Sequence, residues 1–405
     1  MGTRLAGRRI LCGVTGSIAA YKVGDWVRDL RRDGAEVTVV MTGAATRFVA
    51  PLTFAALSGR RVYTGMFDPE DAEKIPHISL AREHDLILVA PATANTIARL
   101  ANGLGDDLLA TVILASRAKV LVCPAMNSQM FSHPATQANL ARLREFGYQV
   151  LAPATGKLAC GEEGPGRLPE WDAVREAVLA VFSPQDLAGQ RLLVTAGPTR
   201  EPLDPVRFLS NPSTGRMGYA LARTARRRGA EVVLVSGPVD LAPPPGVELI
   251  RVNTAREMHE AVLAEYDQVS VVMKTAAVSD FRPRTAAVHK IKKTAADRSL
   301  TLVRNPDILQ ELGNRRQGAT RPVLVGFAAE SRNLQAEGRR KIRDKQLDLI
   351  VVNDITAPDA GFATETNRVL ILDRAGGEEA LPLLAKEEVS DRIWDRVVVL
   401  LGCNS

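Results

Sequence analysis

Short runs rich in β-branched residues alternate along the chain with longer stretches whose apolar side chains recur every three to four positions. In the first half the runs predict strands at 10–14, 36–41, 86–90, 120–123 and 149–151, and the periodic stretches predict helices at 21–32, 94–100, 107–116, 134–146 and 171–182. Continuous apolar strands separated by amphipathic helices are the pattern of a parallel sheet covered on both faces, an α/β doubly wound fold. A Gly-rich stretch, 154–168, reads as a long loop, and the polar stretch 183–190 as a boundary between domains at 1–188 and 189–405. The second half restarts the same grammar, with strands at 191–195, 231–235, 269–273, 323–327, 349–352 and 369–372 and a helix at 218–228. Segments 31–40 and 226–235 agree at seven of ten positions, each a helix end, a Gly and a strand. We read this as the shared local physics of two Rossmann-like starts.

Composition narrows the class. At 46% apolar and 24% charged over 405 residues, each half can bury its own core without disulfides or structural metal. The formal charge of +6 is mild for this length, and the 10 Phe, 5 Tyr and 3 Trp form no stacking platform, which argues against a nucleic-acid-binding protein. Cys12, Cys123, Cys160 and Cys403 have no CxxC spacing, as expected in a reducing compartment. No apolar run reaches the roughly 18 residues of a membrane span, and Gly13, Thr15 and Gly16 interrupt the apolar stretch after Arg8-Arg9. A cytoplasmic protein without membrane attachment is expected.

Each half opens with a strand, a Gly-bearing turn and a helix, which offers free amides and a positive dipole end to an anion. The first turn, Gly13-Val-Thr-Gly-Ser17, lacks the full GxGxxG spacing. An NAD site also needs Asp or Glu at the end of the second strand, whereas these strands end in Thr42 and Ser236. A phosphate ligand without an adenosine ribose at this point fits better; an NAD(P)-dependent oxidoreductase with two Rossmann units is the alternative.

Candidate chemistry lies at the strand exits. In the first half these are Gly16-Ser-Ile-Ala-Ala-Tyr-Lys22, His77 just before a helix, Pro91-Ala-Thr-Ala-Asn95, Pro124-Ala-Met-Asn127 and Ala159-Cys-Gly-Glu162. Together they resemble the FMN-dependent cysteine decarboxylases, specifically phosphopantothenoylcysteine decarboxylase of coenzyme A biosynthesis. The second half carries Gly197-Pro-Thr-Arg-Glu-Pro-Leu-Asp-Pro-Val-Arg207, Ser210-Asn-Pro-Ser-Thr-Gly-Arg-Met-Gly218, Ala276-Ala-Val-Ser-Asp280, Lys290-Ile-Lys-Lys293, Asn305-Pro-Asp-Ile308 and Gly326-Phe-Ala-Ala-Glu330, and resembles phosphopantothenate-cysteine ligase. Two departures stand out: Phe131 where that decarboxylase motif continues with Trp or Tyr, and Met273-Lys-Thr275 where small residues usually precede Ala276.

The resemblance implies an N-terminal flavodoxin-like FMN domain and a C-terminal nucleotide-binding ligase domain. Losing CO2 from a cysteine amide leaves a carbanion without an electron sink. Oxidation of the CH2–S carbon by a flavin places a thioaldehyde β to the carboxylate, and CO2 loss then gives an ene-thiolate. By resemblance His77 is the base, Asn127 binds the substrate carboxylate, and Cys160 returns the proton. Gly16, Ser17, Thr42, Ala92, Thr93, Ala94, Asn95 and Met126 hold FMN. In the ligase half the resemblance assigns Asn211 to the acyl-cytidylate, and Ala276, Asp280, Lys290, Pro306, Asp307, Ile308, Leu309, Phe327, Lys341 and Lys345 to CTP, with Mg2+ (or Mn2+). The substrates implied are 4'-phosphopantothenate, cysteine and CTP, and the assembly a homo-oligomer, with trimers of the flavin domain and dimers of the ligase domain.

Overall fold

The structure, a computed structural model, describes residues 4–67, 75–292, 299–316, 318–330, 332–354 and 364–402; Lys293 and Cys403 lie outside the described residues. The chain forms two compact units, Met1–Phe182 and Ser183–Ser405.

The first unit is built on β1 (Arg9–Val14), β2 (Glu36–Met41), β3 (Val62–Tyr63), β4 (Leu86–Ala92), β5 (Lys119–Pro124) and β6 (Gln149–Val150). They form one parallel sheet in the order β3-β2-β1-β4-β5-β6. This is the doubly wound order, whose reversal between β1 and β4 opens a crevice at the carboxyl ends of the strands. Helices α1 (Ala20–Arg32), α2 (Pro51–Ser58), α3 (Pro76–Glu83), α4 (Ala94–Asn102), α5 (Leu108–Ala115), α6 (Ser128–Ser132), α7 (Pro134–Glu145) and α8 (Trp171–Phe182) complete the unit. Helices α1, α2 and α8 cover one face, where Trp26 stacks on Trp171 at 5.4 Å. The other face is covered by α3, α4, α5 and α7. The helix starts follow side-chain capping: Thr93 accepts from the Thr96 amide and Asp107 from the Ala110 amide.

Two expectations are corrected here. The stretch 154–168 is an antiparallel hairpin, β7 (Ala154–Lys157) with β8 (Glu163–Arg167), and Cys160 sits in its connecting turn. His77 does not precede a helix but lies in the first turn of α3, after Pro76.

The second unit repeats the architecture with β9 (Arg191–Ala196), β10 (Arg200–Pro202), β11 (Phe208–Ser210), β12 (Glu231–Ser236), β13 (Glu248–Arg251), β14 (Val271–Lys274), β15 (Phe281–Pro283), β16 (Leu302–Arg304), β17 (Val323–Glu330), β18 (Leu349–Asp354), β19 (Thr366–Asn367), β20 (Val369–Asp373), β21 (Glu378–Ala380) and β22 (Leu384–Ala385). The large sheet runs β13-β12-β9-β14-β17-β18-β20-β21; the first six strands are parallel in the same doubly wound order, and β20 and β21 add an antiparallel edge. Helices α9 (Arg216–Arg227) and α13 (Lys386–Leu401) cover one face, and α10 (Ala255–Glu265), α11 (Ile308–Arg315) and α12 (Leu334–Lys345) the other. Pairs β10–β11 and β15–β16 form separate hairpins. The polar stretch 183–190 packs on this unit: Leu187 is fully buried and Asp186 pairs with the buried Arg228 at 2.5 Å. Among the described residues no helix is long and apolar enough to cross a membrane.

Candidate active sites

In the first unit the turn after β1 is locked to the turn after β4. Buried Thr15 donates its hydroxyl to the Pro91 carbonyl at 2.6 Å and accepts from the Thr93 amide at 3.1 Å. Gly16 faces the residue chain after β2 so closely that a Cβ there would lie 2.4 Å from that of Ala44. Thr42 accepts from the Ala45 amide and turns the chain at the same sheet edge. These contacts gather Gly16, Ser17, Thr42, Ala92, Thr93, Ala94 and Asn95 along one edge of the sheet.

Beyond β5, Asn127 Oδ1 caps α6 by accepting from the Gln129 amide at 2.8 Å, while Nδ2 donates to Glu162 Oε2 at 2.7 Å and to Cys160 Sγ at 3.5 Å. The hairpin docks here through the Met126 amide, which donates to the Gly166 carbonyl. A Cβ on Gly166, at φ +132°, would stand 2.3 Å from the Met126 oxygen, so only glycine permits this approach. The hairpin roofs a cleft of about 530 Å³ lined by Ser17 to Ala19, Tyr21, Lys22, Ala125 to Asn127, Lys157 to Cys160 and Gly166 to Leu168. It brings Ser17, Met126, Asn127 and Cys160 together. Gly16, Thr42, Ala92, Thr93, Ala94, Asn95 and His77 are not among its lining residues.

Lys22, Lys157 and Arg167 also line the cleft and were not singled out from sequence. Lys22 was visible within its motif, but the other two reach the cleft only because the hairpin folds back. Of the described thiols, burial pushes Cys12 up to about 12 and raises Cys123 as well, whereas Cys160 is exposed. These residues fit a phosphate-bearing flavin. Helix α1 starts without a side-chain cap on its N-cap residue, its first amides bonding within the turn, Ala19 to Ser17 Oγ and Ala20 to the Ser17 carbonyl, and among the described residues the buried His77 Nδ1 and Ser128 Oγ have no hydrogen-bond partner.

In the second unit the exits of β9 and β14 are joined in the same manner. Buried Thr195 accepts from the Ala276 amide at 3.1 Å, and Thr199 from the Ser279 amide at 3.1 Å. Asn211 Nδ2 donates to the Ala277 and Val278 carbonyls at 3.2 Å, and Asn305 Nδ2 to the Ser279 carbonyl at 2.8 Å. The two amides hold the loop carrying Asp280 from both sides. Asp307 caps α11 and pairs with Lys345 at 2.7 Å; Lys341, one turn earlier on α12, pairs with Glu330 at 2.5 Å. Burial pushes the Asp307 carboxyl up, but the hydrogen bonds from Lys345 and the Gln310 amide outweigh it and hold it below the usual carboxylate value.

Lys290 is exposed, yet its segment is anchored. The buried Asp204 carboxylate accepts from the Ile291 amide at 3.1 Å, and Arg207 donates to the Ile291 carbonyl at 2.8 Å. The Arg207 guanidinium keeps the Asp204 carboxyl far below the ordinary range. Asp204 and Arg207 stand in a stretch marked from sequence but assigned no role there; the Asp-x-x-Arg spacing of a short turn was the available signal.

Comparison with known proteins agrees with both halves. Residues 2–183 match the family described as Flavoprotein, and residues 187–400 the family described as DNA/pantothenate metabolism flavoprotein C-terminal domain. The "Coenzyme A biosynthesis bifunctional protein CoaBC" of Vibrio vulnificus (strain CMCP6) is 46% identical over 400 residues, spanning 98% of this chain and 99% of that protein. Its counterpart in Bacillus subtilis (strain 168) is likewise 46% identical, spanning 98% of each. Among solved structures, the "C-terminal Domain of Coenzyme A biosynthesis bifunctional protein CoaBC" is 41% identical with a TM-score of 0.46, covering 54% of this chain and 100% of that one. With both halves matched in order and the relatives this similar over the full length, the chain belongs to the coenzyme A biosynthesis bifunctional protein family, and is a flavoprotein enzyme with a decarboxylase and a ligase activity.

Proposed function

We propose that the second unit joins cysteine to 4'-phosphopantothenate through an acyl-cytidylate made from CTP, and that the first unit, with FMN, decarboxylates the resulting 4'-phosphopantothenoylcysteine to 4'-phosphopantetheine. The observation that supports this most is the roofed cleft, where an amide (Asn127), a thiol (Cys160) and three cations (Lys22, Lys157, Arg167) converge. When bound, FMN supplies the electron sink that CO2 loss from a cysteine amide lacks. Asn127 orients the substrate carboxylate, Cys160 delivers a proton from Sγ once CO2 has left, and the three cations suit phosphate groups.

His77 is the base in this reading. Its absence from the cleft lining of a single chain, with its buried Nδ1 unpartnered, supports a site completed by a second copy. The first unit exposes Leu52, Phe67 and Ile75, and the hairpins of the second expose Val206, Phe208, Phe281 and Leu302, apolar surface suited to a homo-oligomer. We assign trimers through the first unit and dimers through the second.

In the ligase site, Asn211 commits its Nδ2 to backbone carbonyls and presents Oδ1 toward the acyl-cytidylate. Lys290, Lys341 and Lys345 offset the charge of the triphosphate and departing pyrophosphate, with Asp280, Phe327 and the turn at Pro306 to Leu309 around the nucleotide. Mg2+ (or Mn2+) accompanies the triphosphate. The reading places the enzyme in the cytoplasm, where Cys160 stays a thiol. The test is to incubate the purified chain with 4'-phosphopantothenate, cysteine, CTP and Mg2+ and follow pyrophosphate, CO2 and 4'-phosphopantetheine. Pyrophosphate formed with ATP but not CTP rejects the nucleotide assignment, and a colourless protein rejects the flavin.

A further inference from the structure

Lys274 has no part in the chemistry above, yet it ends β14, a central strand whose carboxyl end opens on the ligase site. Its register partners are Thr195 of β9 and Gly326 of β17. Side chains alternate along a strand, and Val272 packs into the core with Ile308, Leu309 and Ile342, so Lys274, two residues on, projects to the face covered by α11 and α12. There its ammonium donates to the Ala276 carbonyl at 3.3 Å, a neutral acceptor at the long end of hydrogen bonding. Two of the nearby carboxylates are engaged, Asp307 with Lys345 and Glu330 with Lys341, while the third, Asp280, is exposed and acts on Lys274 without an ion pair to it. Three lysines thus meet at one strand end, and among the described residues Lys274 is the one that no carboxylate pairs with.

We propose that Lys274 is a phosphate-binding residue of the ligase site, its ammonium meeting the triphosphate of the nucleotide beside Lys341 and Lys345. The inference rests on the reading of this strand end as the nucleotide site. Electrostatics support it. Burial lowers the Lys274 ammonium to about 8; Lys345 and Lys341 push in the same direction, while Asp307 and Asp280 oppose them. A bound polyphosphate reverses that balance and retains the proton. The sign follows: below about pH 8 Lys274 is charged with or without nucleotide, so affinity is flat, whereas above it the free site loses its proton first and binding must take one up.

The experiment is calorimetric titration of the full chain with CTP and Mg2+ at pH 6.5 and 8.5, each in two buffers of different ionisation enthalpy. The wild type is expected to take up a large fraction of a proton per site at pH 8.5 and little at pH 6.5. Lys274→Met is expected to weaken CTP binding at least about tenfold and to abolish the uptake; Lys274→Arg is expected to retain affinity and also lose the uptake. Absence of proton uptake by the wild type at pH 8.5 overturns the proposal without recourse to a variant. Unchanged affinity in Lys274→Met, with Lys341→Met weakened, overturns the role of Lys274 and leaves the nucleotide site standing. If Lys341→Met and Lys274→Met both bind CTP as the wild type does, the nucleotide reading itself fails.

Discussion

Asn127 divides its amide between two tasks. Oδ1 is spent on the α6 amide, so only Nδ2 is available to a ligand, and in the structure a carboxylate from the hairpin, that of Glu162, holds it at 2.7 Å. Removing that competitor with Glu162→Ala is expected to lower the KM for 4'-phosphopantothenoylcysteine by about two- to fivefold, the scale of one solvent-exposed hydrogen bond worth about 0.5–1 kcal/mol; steady-state kinetics of CO2 release decides it. His77→Asn keeps size and polarity but removes the base. Flavin is expected to stay bound while decarboxylation falls ~100-fold or more, and near-normal CO2 release would sink the assignment. Cys160→Ser separates steps within the site. A hydroxyl is a far weaker acid than a thiol, so CO2 release is expected to continue while an ene-thiol two hydrogens short of 4'-phosphopantetheine accumulates. Mass spectrometry of an anaerobic reaction reads this out.

Two elements without cores of their own carry much of the chemistry. The hairpin at 154–167 has no alternation of apolar and polar residues, and its Gly and Pro content reads as a loop. It becomes a pair of strands because its backbone bonds across the hairpin and docks on Met126 through Gly166, contacts that exist only once β5 is in place. The segment around Lys290 behaves alike: it gains its position from the Asp204 and Arg207 grip on the Ile291 peptide, formed between segments more than 80 residues apart. Since Asp204 stays ionised across the working pH range, the grip does not relax there. A lysine so held is expected to matter to ligation alone. Lys290→Gln should abolish pyrophosphate release from CTP yet leave decarboxylation of supplied 4'-phosphopantothenoylcysteine intact, and equal loss of both activities would contradict the division of labour.

Each half of the molecule has a complete doubly wound sheet with a buried core on both faces, and the polar stretch between them belongs by its contacts to the second. Cutting after Phe182 therefore exposes neither core. Fragments 1–182 and 183–405 are expected to be soluble and to keep decarboxylase and ligase activity respectively. If fragment 1–182 is soluble but colourless where the full chain is yellow, the flavin does not belong to that half.

Sequence by itself determined the α/β class, the two-part organisation and nearly all the core strands, because burial on both faces writes a continuous β-branched run that needs no partner to be read, as at Glu36–Met41 and Val271–Lys274. Motif order was equally legible, and with it the family. Three features were decided only by tertiary structure. The hairpin that roofs the cleft, the presence of Lys157 and Arg167 on its lining and the convergence of Lys274, Lys341 and Lys345 all come from segments far apart in the chain. The physical reason is shared: a strand or helix is selected by neighbours within a few residues, whereas the field at a charged group is set by whatever the fold brings beside it.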